Sequence, residues 1–352
     1  MIARLLALLV KLLFLAALGV GFVAVAIYHD YHAALNEPMA IGEKPVIYSV
    51  EPGTSFRTVV NDLRERGWWN HPARYFLWQV RQRDVGGKLK TGEYEIAPGM
   101  TALQLMDHLV SGRTVQYKVT LLEGWTFAQV RAEMERSDVL RQTLKGLDDA
   151  VVMERLGHPG QHPEGRFFPD TYNVTRKTTD LELLGRAHER MQEVLREAWE
   201  KRADGLPYKN AEEALIMASI VEKETGLAAE RPQIASVFVQ RLKRGMRLQT
   251  DPTVIYGVGK SYDGDIRRKD LETDTPYNTY TRDGLPPTPI AMPGRDAIEA
   301  ALNPAATDAL YFVARGDGSH VFSRTLEEHN RAVAKYQLGP AAGQGAGERT
   351  VQ

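Results

Sequence analysis

An apolar segment near the N-terminus is the feature that most constrains this chain. Residues 12–28 carry no charge, and residues 5–10 extend the apolar run beyond Lys11. At 1.5 Å per helical residue the segment can cross about 30 Å of hydrocarbon. Lys11 can reach the headgroup layer with its long side chain. The sequence therefore predicts a transmembrane helix within residues 1–28.

The charges on the two sides of this segment differ. Arg4 precedes the apolar segment and Lys11 lies near its N-terminal end, whereas residues 29–43 contain no Lys or Arg. The positive-inside rule then places the N-terminus in the cytoplasm and the rest of the chain outside it. The alternative is a cleaved signal peptide, because Ala24 and Ala26 have the spacing of a cleavage site. The length of the apolar run favours the uncleaved anchor, and both alternatives export the body of the protein.

The rest of the chain has the composition of a globular protein, with 43% hydrophobic and 25% charged residues. Its 352 residues predict about two domains. A net charge of −1 provides no basic field for a nucleic-acid partner. Because the chain has no cysteine, disulfides, thiolate metal sites and thiol nucleophiles are excluded.

A pattern of strand, glycine turn, hydroxyl N-cap and helix recurs in the first half of the chain. The copies consist of strand 46–50 with Ser55, strand 94–96 with Thr101, and strand 119–122 with Thr126. A further helix, rich in aromatic residues, is predicted at 72–80. The sequence thus predicts a strand-helix-helix-strand module at residues 45–116, joined to the anchor by a polar linker at 29–44.

The remaining segments predict a larger mixed domain. A charged helical segment is expected at 126–205, interrupted by the glycines and prolines of 157–165 and by a compact segment at 166–172. Residues 310–313 and 320–322 predict a β-hairpin, and a helix follows it. The glycine-rich residues 339–352 predict a disordered tail.

The helix that begins at Asn210 is the most informative one for chemistry. Residues 214–221 are apolar on nearly every face, which predicts burial. Glu222 continues a buried stripe, and desolvation there would raise its pKa so that it holds a proton near neutral pH. Glu224 lies about 200° further round the helix. The two carboxyls therefore cannot face the same cleft, and one of them is expected to be structural.

Three segments after this helix, 248–257, 275–280 and 284–290, combine Pro and Gly with Tyr, Asn, Thr and Gln. Such rigid polar backbone suits a ligand with many hydroxyl and amide groups. Alternatively, Asn278 and Thr279 only hold their own turns. Motifs of serine hydrolases, zinc proteases, NTPases and dinucleotide enzymes are absent from the sequence, and no metal site is predicted.

Five motifs resemble those of the endolytic murein transglycosylases of the YceG-like (MltG) family, in the same order. They are Glu164-Gly165 with the FPDTY of 168–172, ASIVEKET at 218–225, RLQTDPTVIYG at 247–257, YNTY at 277–280 with GLPP at 284–287, and ALYFV at 309–313. The resemblance covers nearly the whole chain. It implies an α+β fold with a single N-terminal transmembrane helix and a small LysM-like β-α-α-β module at 45–116. A mixed α+β catalytic domain at 117–338, which includes the C-terminal β-hairpin, would follow.

The resemblance implies a lyase that needs no cofactor. It would cleave the β-1,4 bond between N-acetylmuramic acid and N-acetylglucosamine in nascent peptidoglycan and leave 1,6-anhydro ends. Glu222 is implied to protonate the leaving oxygen and then to accept the proton of the muramic 6-hydroxyl. The residues expected to bind substrate or support this acid are Glu164, Gln249, Asp251, Tyr277, Asn278, Tyr280 and Glu224.

The resemblance also implies where the protein acts and with what. Its partners would be peptidoglycan glycan strands and the cell-wall synthases (penicillin-binding proteins), beside the bacterial inner membrane that holds the anchor, with the catalytic domain in the periplasm. Two alternatives stay open. One is a hydrolytic muramidase in which Asp251 or Glu164 activates water, and the other is a non-catalytic peptidoglycan-binding protein that uses residues 45–116.

Overall fold

In a computed structural model, residues 2–338 are described, and they form α-helices and two-stranded sheets. The chain divides into two compact units. Unit 1 runs to residue 117 and includes 175–177, whereas unit 2 contains the other described residues. The predicted mixed helix and strand fold is confirmed. The predicted tail at 339–352 lies outside the described residues.

Both kinds of element are distributed along the chain. The helices are α1 (Ile2–Asn36), α2 (Phe56–Glu65), α3 (Ala73–Gln82), α4 (Ala102–Ser111), α5 (Phe127–Arg136), α6 (Asp149–Arg155), α7 (Asp180–Glu200), α8 (Ala211–Glu224), α9 (Arg231–Lys243), α10 (Asp251–Val258), α11 (Arg268–Glu272), α12 (Arg295–Leu302) and α13 (Leu326–Tyr336). The strands are β1 (Val46–Val50), β2 (Gly92–Ile96), β3 (Tyr117–Thr120), β4 (Thr171–Val174), β5 (Tyr311–Ala314) and β6 (His320–Ser323).

Helix α1 is long and apolar enough, by length and composition, to cross a membrane. A signal sequence near an N-terminus meets the same criteria. The helix does not end at residue 28 but continues to Asn36. Its last turns are packed, since Ala34 and Leu35 are buried and the Trp69 indole donates a hydrogen bond of 2.7 Å to the Ala34 carbonyl.

The segment 29–44, predicted as a polar linker, is thus part helix and part core. Beyond the end of α1, Met39 and Ile41 are also buried in unit 1. The physical reason is that these apolar side chains gain more by leaving water than a flexible connection would gain in entropy.

Unit 1 places its helices around a short antiparallel sheet. Strands β1 and β2 pair with Tyr48 opposite Tyr94, and both rings are buried. The elements follow in the order β1, α2, α3, β2, α4. Helices α2 and α4 begin where the sequence predicts, because the hydroxyls of Ser55 and Thr101 accept N–H bonds from the first turn.

Unit 2 is built around α8, which packs against α7, α9 and α12. Side chains from Ala214 to Val221 are buried on all faces, as the apolar run predicts. The segment expected to be helical at 126–205 contains α5, α6 and α7, and strand β4 lies at the end of the interruption expected at 157–172. The glycines and prolines between residues 157 and 169 cannot continue a helix, and β4 pairs with β3. Strands β5 and β6 form the predicted hairpin, with α13 after it.

Candidate active site

A cavity of about 440 Å³ opens at the C-terminal end of α8. It collects several of the polar side chains that the sequence singles out. Those in its lining are Glu224, Gln249, Asp251 and Tyr280, together with Arg241, His320 and His329. The hairpin and α13 supply most of the apolar lining, and Phe238 and Leu248 complete it. The cavity therefore joins acidic, basic and aromatic groups in one place.

Glu224 is the last residue of α8, and its carboxyl points to the start of α10. The Thr250 hydroxyl donates to its Oε2 at 3.0 Å. Burial raises the pKa of Glu224 to about 7, and the nearby charge of Asp251 adds to this rise. The Thr250 hydrogen bond and Arg241 oppose it. Glu224 can accordingly be protonated or ionised near neutral pH, as a group that both gives and takes a proton must be.

Asp251 and Tyr280 form a hydrogen-bonded pair beside Glu224. The Tyr280 hydroxyl donates to Asp251 Oδ1 at 2.6 Å. Burial raises the pKa of Tyr280, so the hydroxyl keeps its proton and remains a donor. Because Asp251 opens α10 and Tyr280 lies in a distant turn, this bond ties two segments of the cavity wall together.

Asn278 supports this wall from behind. Its side-chain nitrogen donates to the carbonyls of Asp270, Leu271 and Thr273, and its Oδ1 accepts the Tyr280 N–H at 2.8 Å. The side chain is buried, and its polar atoms bond the end of α11 and the turn that contains Asn278. Asn278 is therefore a turn residue that positions Tyr280, which agrees with the alternative drawn from the sequence.

Gln249 has a backbone φ of +50°, which is uncommon for a residue other than glycine. Its N–H donates to the Thr279 carbonyl at 3.2 Å, and its side chain is exposed at the cavity. Strained backbone of this kind occurs preferentially at ligand sites. The observation supports its predicted place among the substrate-binding residues.

Glu222 lies outside the cavity lining, in a cluster of charges. Its Oε1 accepts from Arg231 at 3.1 Å and its Oε2 accepts from the Gly294 N–H at 2.9 Å. Its side chain is only 6% exposed. Burial raises the pKa of Glu222, but the Gly294 N–H and Arg231 oppose that rise. Both carboxylate oxygens are thus engaged in the protein interior.

The two glutamates face different surroundings, as the helical geometry predicts. The geometry does not support the choice of Glu222 as the acid, because its oxygens are occupied by Arg231 and Gly294 and it does not line the cavity. It favours Glu224, which shares the cavity with Asp251 and Tyr280.

Glu164 and Tyr277 belong to a second network around Tyr256. Glu164 accepts from the Phe127 N–H at 2.9 Å and from the Tyr256 hydroxyl at 3.0 Å. The rings of Tyr256 and Tyr277 meet edge to face, with centroids 4.8 Å apart. Burial raises the pKa of Glu164 to about 7. Neither Glu164 nor Tyr277 lines the cavity that holds Glu224.

Replacement of Glu164 by glutamine should make stability less dependent on pH. A carboxyl whose pKa rises from 4.5 to about 7 on folding stabilises the protein below the lower value, and this stabilisation is lost as the pH rises through about 7. The free energy of unfolding of the variant minus that of the parent should therefore increase by about 3 kcal/mol from pH 4 to about pH 8. Urea unfolding over this range measures it, and parallel pH profiles would contradict the expectation.

Sequence reasoning missed three residues near the cavity. Arg241 is buried and donates to the carbonyls of Leu310 and Leu248. His320 lines the cavity, and its Nδ1 lies 2.7 Å from Oε2 of Glu230. Glu230 and His320 are far apart in sequence, so no local pattern could have paired them.

Another cavity, of about 510 Å³, lies between α7, α9 and α12. Its polar lining alternates acidic and basic side chains, such as Glu197, Lys201 and Arg295. It contains none of the site residues that the sequence predicts. Within residues 2–338 no group of three or more His, Asp or Glu side chains is placed to hold a metal ion.

Comparisons with known proteins agree with one another. The YceG-like family profile matches residues 48–335. A Bacillus subtilis protein named endolytic murein transglycosylase is 34% identical, over 87% of this chain and 89% of its own length. A protein of the same name from Streptococcus pneumoniae is 27% identical, over 92% of this chain and 64% of its own length. The crystal structure of a YceG-like protein from Listeria monocytogenes is 31% identical, with a TM-score of 0.52, over 82% of this chain and 99% of that one.

Proposed function

This chain belongs to the YceG-like family, as its motifs predict, and we propose that it is an endolytic murein transglycosylase. It would cleave the β-1,4 bond between N-acetylmuramic acid and N-acetylglucosamine within peptidoglycan strands and leave 1,6-anhydro ends. The names of its relatives support the reaction class. The observation that carries the proposal is a single cavity that holds Glu224, a carboxyl with a pKa of about 7, beside Asp251 and Tyr280.

We assign the role of acid and base to Glu224 rather than to Glu222. Protonated Glu224 would give its proton to the glycosidic oxygen while the bond from C1 of the muramic residue to that oxygen breaks. The carboxylate of Glu224 would then take the proton of the muramic 6-hydroxyl as the oxygen of this hydroxyl bonds to C1. The proton count balances, and no water is consumed. The substrate supplies its own nucleophile, so a second carboxylate is not required to activate water.

The neighbours of Glu224 suit supporting roles. Asp251, whose charge raises the pKa of Glu224, would stabilise positive charge that develops at C1. Tyr280 holds Asp251 in place, and Gln249 offers an amide to the substrate. His320, oriented by Glu230, presents a further polar group to the same cavity. Glu164, Tyr277 and Asn278 would support the surrounding wall.

The products decide between this reaction and hydrolysis, in which Asp251 or Glu164 would act as a water-activating base. We expect mass spectrometry of glycan strands treated with the full chain in detergent to find muramic ends one water lighter than reducing ends. Reducing ends would indicate a muramidase. Intact strands would favour the peptidoglycan-binding alternative. A Glu224→Gln sample prepared in parallel controls for contaminating activities.

The location of the reaction is part of the same proposal. Helix α1 would anchor the chain as a single pass in the bacterial inner membrane, with residues 29–352 on the periplasmic side. The order strand, helix, helix, strand supports residues 45–116 as a LysM-like module. Residues 117–338 would form the catalytic domain. Penicillin-binding proteins would be the synthases whose strands it cuts.

A further inference from the structure

Helix α3 packs directly on the last turns of α1 within unit 1. The Tyr31 hydroxyl of α1 donates to Gln79 of α3 at 2.5 Å. The Tyr75 hydroxyl of α3 donates to Asp30 at 2.8 Å. These two bonds, together with the Trp69 bond to α1, fix α3 beside the end of the apolar helix rather than on a flexible tether.

Trp78 is the exposed aromatic residue at this junction. Its side chain is 52% exposed although its ring lies edge-on to Tyr31, with centroids 5.6 Å apart. The exposed apolar side chains of α1 continue to Tyr28. The 24 residues 5–28 span about 36 Å at 1.5 Å per residue, which exceeds the hydrocarbon thickness of about 30 Å. Tyr28, Tyr31 and Trp78 therefore lie where the hydrocarbon would end.

The exposed face of α3 is also basic. Arg74, Trp78 and Arg81 share one face, since they are four and three residues apart. Both arginines are exposed, and neither has an acidic partner in the part of the chain that the structure describes. Residues 74–90 contain five basic residues and a single acidic one, Asp84. The arginines of this face are complementary in charge to an anionic surface, and the central tryptophan suits an apolar layer beneath that surface.

We infer that the α3 face formed by Arg74, Trp78 and Arg81 rests on anionic phospholipid headgroups next to α1. This inference depends on the proposed membrane anchor. Trp78 would sit at the boundary of headgroups and acyl chains, where an amphipathic ring is best accommodated. The arginines would contact lipid phosphates. Unit 1 then has two attachments to the bilayer and cannot swing freely about the end of α1.

Quenching by brominated lipids tests the contact of Trp78. The full chain is placed in nanodiscs that contain phosphatidylglycerol and phosphatidylcholine with brominated acyl chains. Because the chain has five tryptophans, we expect a loss of about one fifth of the emission. This loss should be absent in Trp78→Phe, which keeps an aromatic ring but removes the reporter. Equal quenching in parent and variant would overturn the inference.

The basic residues are tested by a matched pair of variants. Arg74→Gln with Arg81→Gln should reduce the quenching in discs with phosphatidylglycerol. The control is Arg57→Gln with Arg64→Gln, two exposed arginines seven residues apart on α2, which should leave it unchanged. The role of anionic lipid would be overturned if both pairs of substitutions changed the quenching equally. It would also be overturned if the parent were quenched equally in discs with phosphatidylglycerol and in discs of phosphatidylcholine alone.

A separate measurement distinguishes failure of the anchor from failure of the contact. In vesicles, a spanning α1 should resist extraction with alkaline carbonate. If the protein is extracted, the proposed anchor fails and the α3 contact fails with it. If the protein resists extraction but Trp78 is not quenched, only the contact is refuted.

Discussion

Replacing Glu224 by glutamine should lower the rate of glycan strand cleavage by about 1,000-fold or more. Glutamine keeps the shape of the side chain and can still accept the Thr250 hydrogen bond. It cannot give a proton to the leaving oxygen or take one from the muramic hydroxyl. The parent should lose kcat/KM above pH about 7, because the acid must be protonated in the free enzyme. Initial rates on purified strands measure both effects.

Glu222→Gln is the matched control, since it makes the same change two residues earlier on the same helix. It should leave the activity of the folded protein within about twofold of the parent. It should change the free energy of unfolding by less than about 1 kcal/mol, because Arg231 loses a charged partner but the neutral side chain avoids the cost of burial that raises the pKa of Glu222. Asp296 and Glu123 near Arg231 limit this loss.

The opposite result would assign the role of catalytic acid to Glu222. If Glu222→Gln folds normally but does not cleave, while Glu224→Gln cleaves at the parent rate, the assignment from the cavity is refuted. Circular dichroism on every sample separates loss of activity from loss of fold.

Gly165→Ala should destabilise the protein by about 4 kcal/mol. Gly165 has a φ of +77°, and an alanine in this conformation costs about 1–2 kcal/mol. A Cβ at this position would lie 2.4 Å from Cβ of the buried Pro289. The proline ring cannot rotate away, so the backbone must shift, at about 1–3 kcal/mol. Urea unfolding of the full chain in detergent measures the change.

Gly160→Ala is the control for the backbone contribution. Gly160 precedes Gly165 in the same loop and has a φ of +78°, but an added Cβ meets no atom within 4 Å. It should cost about 1 kcal/mol. Equal losses in the two variants would mean that the contact with Pro289 is absent. That contact matters because the neighbouring Ile290 N–H bonds to Ser219 of α8, the helix that carries Glu224.

The sequence by itself determined the local structure and the family. N-cap hydroxyls at Ser55, Thr101 and Thr126 mark helix starts because they satisfy N–H groups of the first turn, a purely local effect. Residues 214–221 indicate burial because no face of that helix is polar. The long motifs identify the family. The extension of α1 to Asn36 was not predictable, because it depends on packing against the distant Trp69.

The tertiary structure decided which glutamate faces the cavity. Helical geometry alone requires Glu222 and Glu224 to point in different directions, but it cannot say what lies in either direction. The answer comes from segments distant in sequence: Arg231 and Gly294 surround one carboxyl, whereas Thr250 and Asp251 meet the other. Likewise, Asn278 is of a residue type that often binds ligands, but its side chain bonds the backbone at the end of α11 and of Tyr280. The chemistry of this site therefore depends on long-range packing. The two-residue spacing between Glu222 and Glu224 does not show which of them faces the cavity.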